Sequence, residues 1–115
     1  MTELLVLVIH DEQRTDEVVR SWIAGGVTGI TILDSSGWTQ ALGERGLRDD
    51  LPLMPSLRSI LRGQESRSRT IFSVVGDGFD LQDLIARTEA ILGPLDNPES
   101  GIFFSLPVSI ARGLQ

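Results

Sequence analysis

Every one of the ten basic residues in this chain of 115 is an arginine. Six of them, Arg45, Arg48, Arg58, Arg62, Arg67 and Arg69, fall between positions 38 and 69. A guanidinium grips carboxylate or phosphate with paired N–H donors and keeps its proton at any physiological pH, so such a run can read an anion or dock an acidic partner. Glu44, Asp49, Asp50 and Glu65 share the stretch. A solvated loop whose charges pair locally is therefore the competing reading.

Other candidates are few. His10 is the one histidine, and there is no cysteine, lysine or tyrosine. That excludes thiolate chemistry, a zinc-thiolate site, a Walker-type phosphate lysine, Schiff-base chemistry and modification on tyrosine. No nucleophile, base and orienting group can be assembled, so the expectation is a non-enzyme with no metal site. Asp77 and Asp80 flank Gly78 and read as turn and helix cap, with too few oxygens at fixed spacing for calcium. Asp34, after an apolar run and before two serines, reads as a cap. Trp38 could stack on a planar ligand, whereas Trp22 falls on an apolar helix face.

Formal charge of −6 and a pI near 4.6 give no field for nucleic acid. The N-terminal apolar run is too short for a bilayer and lacks a basic flank, so neither a signal peptide nor a membrane helix is expected, and the cytoplasm is the default.

The elements that must position these residues follow from periodicity. "LLVLVI" at 4 to 9 is an unbroken apolar strand. Thr15-Asp16-Glu17 opens a helix with Val18, Val19, Trp22 and Ile23 on one face, and Gly25-Gly26 stops it. "GITILD" at 29 to 34 is a second strand, closed by the turn residues Ser35-Ser36-Gly37, and "RTIFSVV" at 69 to 75 is a third. Asp80 caps a second helix carrying Leu81, Leu84, Ile85, Thr88, Ile91 and Leu92, ended by Gly93-Pro94. "GIFFSLPV" at 101 to 108 supplies the fourth strand. One domain, 1–115, is expected in the α+β class: ferredoxin-like βαββαβ, a four-stranded antiparallel sheet with two helices on one face. The span 38–68, about thirty residues, is an insertion far longer than a hairpin needs.

This topology leaves one sheet face bare. Yet Leu4, Val6 and Val8 oppose Leu5, Leu7 and Ile9, so both faces of the first strand are apolar. In the fourth strand Ile102, Phe104 and Leu106 on one side oppose Phe103 and Ser105 on the other. No further helix is on offer, so packing against other copies of the chain is predicted.

With "DEVV" in the first helix, "GVTGITILDSSGW" at 26 to 38, "FSVV" before the second helix and "GIFFSLPVSIARG" at 101 to 113, the chain resembles PII signal-transduction proteins. The resemblance implies a homotrimer with sheets facing its centre, 38–68 as the T-loop, and effector clefts between subunits. PII proteins are regulators, commonly in nitrogen control, that bind adenine nucleotides and often 2-oxoglutarate and then dock on a target protein. It implies ligand-binding roles for Thr31, Gly37, Gln40, Val75, Gly101 and Arg112, beside the stacking read for Trp38, and it sets the docking arginines Arg45, Arg48, Arg58 and Arg62 within the T-loop. The phosphate-binding loop departs from the pattern. "PLDNPESGI" carries Asp96 and Glu99, and Ile102 occupies the lysine position, so the cofactor is left unknown, with an adenine nucleotide possible.

The expectation is a cytoplasmic PII-like regulator binding a small effector and acting on an unknown protein through 38–68, with no nucleic acid and no membrane insertion. The alternatives are a ligand-free interaction module of the same fold or a CutA-like metal-binding trimer.

Overall fold

The computed structural model describes residues 1–38, 65–97 and 100–114. Gln40, Arg45, Arg48, Arg58 and Arg62 lie outside the described residues. The elements are β1 (Glu3–Ile9), a single turn of 3-10 helix (Glu12–Arg14), α1 (Thr15–Ala24), β2 (Thr31–Trp38), β3 (Glu65–Val75), α2 (Leu81–Leu92) and β4 (Ile102–Pro107). The strands form one antiparallel sheet in the order β2-β3-β1-β4, the ferredoxin-like arrangement.

Alternation along the strands divides the apolar residues between two faces. Leu5, Leu7, Ile9, Ile71 and Val75 turn toward the helices and bury against Val18, Trp22 and Leu84. Trp22 anchors this core. Its ring meets Phe103 edge-on at 6.4 Å between centroids, and its indole N–H donates to the Thr88 hydroxyl at 2.9 Å. That hydroxyl in turn donates to the Leu84 carbonyl at 2.8 Å, so no polar atom of the pair is left without a partner.

Helix ends follow their local chemistry. The Asp80 carboxylate accepts from the Asp83 backbone N–H at 3.0 Å, and Gly93 closes α2 at a φ of 88°. Ile23, expected on the buried face of α1, is 58% exposed. The i, i+4 pair Val18 and Trp22 points straight at the sheet, and Ile23 stands about 100° further round the helix, past the contact.

β2 and β3 also depart from expectation. Ser35-Ser36-Gly37 is strand and not turn, each residue paired with Ser68, Arg67 and Ser66 in turn. The Ser35 hydroxyl lies 2.8 Å from that of Ser68 and 2.9 Å from that of Thr70. A serine that would bond its own backbone in a turn here bonds across the ladder, and the partner strand supplies what the turn would have satisfied. β3 accordingly starts at Glu65, so Arg67 and Arg69 belong to the sheet.

On the other face the register sets apolar residues in rows. Phe72, Val6 and Phe104 lie side by side, as do Val74, Leu4 and Leu106, and Val8 stands beside Ile102. Ile102 is 54% exposed, Leu106 49% and Leu33 50%. Among the described residues no element of the chain covers this face.

β4 is an edge strand, which is why proline is tolerated at its end. Pro107 pairs with Glu3, and the next N–H, that of Val108, donates to the Thr2 carbonyl at 2.9 Å.

Candidate functional site

The end of the sheet where Ile9, the 3-10 turn and Gly101 meet is also where β2 and β3 lead toward residue 39. β1 pairs with β3 only from Val75 to Arg69, whereas β2 follows β3 back to Glu65. Beyond Arg69 the sheet is thus a two-stranded ribbon. Its two sides carry different chemistry. Ser35, Ser68 and Thr70 form the hydroxyl cluster on the open side, continuing the apolar rows. Asp34, Ser36, Arg67 and Arg69 turn to the helix side.

There, with Glu12 of the 3-10 turn, Ser35 and Ser68, they line a cleft of about 430 Å³. Nε of Arg69 lies 2.8 Å from Oδ1 of Asp34. This is an ion contact out of line for a hydrogen bond, and that buried N–H has no hydrogen-bond partner among the described residues. Asp34, expected to cap, is therefore engaged across the strands. Glu12 and Arg67 have no ion-pair partner among the described residues.

The residues singled out from sequence fall in several places. Thr31 is exposed on the open face beside Phe72. Val75 is 6% exposed and belongs to the core on the opposite face, so the two do not line one surface. The residues that share Thr31's face on β3 are Phe72 and Val74. Gly37 pairs with Ser66 in the ribbon, and Trp38 with Glu65 ends it.

Gly101 has a φ of +134°, and a Cβ there would stand 2.3 Å from the Val8 carbonyl oxygen. Only glycine fits so close to β1. Arg112 is exposed in the C-terminal segment. Leu114, two residues on, lines a small cavity with Val74, Val75 and Gly76, at the far end of β3 from Gly37 and Gly101. The fold of the chain does not bring Arg112 to the ribbon.

His10 is exposed just past β1. Asp77 accepts from the Met1 amine, whose hydrogen bond and charge hold its carboxyl below the usual carboxylate range. Both groups are exposed, so this pair contributes little to stability. Among the described residues no three His, Asp or Glu side chains converge as metal ligands, and no helix is long and apolar enough to cross a membrane.

Glu12 carried no signal in the sequence as part of a cleft, since only the fold brings it to β2 and β3. Arg67 did carry one: "SRSRT" at 66 to 70 alternates with the two-residue period of a strand.

The sheet order, the two helices on one face and the long β2-β3 connection define a PII-like fold. No family profile and no curated protein matches the sequence. Solved structures do. B. subtilis GlnK in its complex with ATP superposes with a TM-score of 0.62 at 14% identity, over 94% of this chain and 82% of that one. A second structure of B. subtilis GlnK gives 0.60 at 16% identity, over 94% and 85%. At such identities the likeness is one of fold.

Proposed function

We propose that this chain is a cytoplasmic regulator of PII type. It assembles as a homotrimer through its open sheet faces, binds a small effector between subunits, and acts on a target protein through 38–68. The observation that carries the reading is the row of Phe72, Val6 and Phe104 with its neighbours, an apolar face with no cover in the protomer. Monomers rarely expose such a continuous patch, and a closed ring of copies buries it. The position of Arg112, far from Gly37 and Gly101 in one protomer, supports a cleft completed by a neighbour.

An adenine nucleotide is the first effector to test, because the fold is shared with a protein solved with ATP bound. Light scattering together with calorimetric titration of ATP, ADP and AMP, with and without magnesium and 2-oxoglutarate, tests the proposal. A trimer mass and saturable binding are expected. A stable monomer overturns the assembly, and a trimer with no heat from any nucleotide overturns the effector.

A second reading, an interaction module with empty clefts, is favoured by Ile102. It stands half-exposed on the open face where the PII resemblance calls for a phosphate-binding lysine. Silence across the nucleotide panel would favour it.

A further inference from the structure

We propose that the cleft between the 3-10 turn and the β2-β3 ribbon binds a small zwitterion, a free α-amino acid being its simplest form. The argument rests on charge accounting within the cleft. Asp34 and Arg69 are in contact with each other at 2.8 Å, which leaves Glu12 and Arg67 as opposite charges on one cavity with no ion-pair partner among the described residues. The lining is balanced, two carboxylates against two guanidiniums. A simple anion entering it meets Asp34 and Glu12, and a simple cation meets Arg67 and Arg69, so each loses to repulsion much of what it gains.

A ligand that carries both signs escapes this conflict. Its carboxylate takes the forked N–H donors of Arg67, and its ammonium takes the Glu12 carboxylate. The Ser36 hydroxyl remains as a donor or acceptor for the rest of the molecule. A nucleotide triphosphate would bring excess negative charge to two carboxylates, so this cleft is not the nucleotide site of the proposed function. The volume of about 430 Å³ is within the range of small-molecule pockets.

Glu12 belongs to the body of the domain and Arg67 to the ribbon. A zwitterion held by both ties the ribbon to the body, and with it the point from which residue 39 departs. Occupancy would therefore be sensed at the base of the arginine-rich segment.

The test is calorimetric titration of the full chain with glycine, L-alanine, L-glutamine and L-arginine, with acetate and methylammonium as single-charge controls. At least one amino acid is expected to saturate, with both controls weaker by about tenfold or more, as expected when one charge-assisted pairing is lost. Glu12→Gln and Arg67→Gln should each weaken it by about the same factor, with far-UV circular dichroism unchanged. No saturation by any amino acid up to about 10 mM overturns the proposal. So does acetate or methylammonium binding as tightly as the amino acid, a comparison that needs no variant. Amino-acid binding that survives both substitutions also overturns it, because the ligand then sits elsewhere.

Discussion

Thr31 and Val75 stand on opposite faces of the same sheet, Thr31 beside Phe72 on the open face and Val75 in the core beneath the helices. On β3 the residues that share Thr31's face are Phe72 and Val74, and Val75 packs in the core. Val75→Ala should cost about 2 kcal/mol through lost burial and the cavity left behind. Urea unfolding with an unchanged slope and a lower midpoint would report it; a midpoint equal to the parent's would place Val75 outside the core.

Gly101 offers a harsher substitution. A Cβ at 2.3 Å from the Val8 carbonyl oxygen, on a backbone at φ +134°, cannot be absorbed by a side-chain shift. Gly101→Ala should cost upward of about 2 kcal/mol and loosen the start of β4. Thermal unfolding measures the first effect, and amide exchange at Ile102 and Phe103 the second. Parent-like values in both would mean that the close approach to β1 is not kept in solution.

The Trp22–Thr88 hydrogen bond is buried, so breaking one side exposes the asymmetry of such bonds. Thr88→Val keeps the shape but leaves the indole N–H unsatisfied, at a cost of about 1–3 kcal/mol. Denaturant unfolding should show the loss. An unchanged midpoint would mean that the indole finds another acceptor.

Val6 lies at the centre of the open face, between Phe72 and Phe104. Val6→Glu puts a charge where the proposed assembly buries apolar surface, and the mass by light scattering should fall to that of one chain while the circular dichroism spectrum is kept. An assembly that persists would have to be held by some other surface.

The parts of this fold that were legible in the sequence are those set by local periodicity. The apolar run of β1, the 18/22 stripe of α1 and the Asp80 cap of α2 each need only their own neighbours to be read. The open face was legible for the same reason, because both alternating sets in β1 are apolar and so is the Ile102, Phe104 and Leu106 set of β4. Ser35-Ser36-Gly37 misled because its turn chemistry is real but loses to the ladder that Ser66, Arg67 and Ser68 supply from a distance. The face that Val75 takes depends on parity, since one position along a strand reverses the face. The cleft of Glu12 and Arg67 joins residues far apart in the chain, and no spacing rule could bring them together.

The ribbon that extends β2 and β3 past Arg69, from the Ser35–Ser68 pair to the Trp38–Glu65 pair, has a mechanical meaning. At roughly 3.3 Å per residue it is a stalk of about 10 Å, and two-stranded ribbons are freer to twist than wide sheets. The described end of the ribbon, Trp38 beside Glu65, is thus the tip of a short torsional arm. A ligand or partner held at the root of such an arm changes its twist more easily than it could change that of the four-stranded sheet.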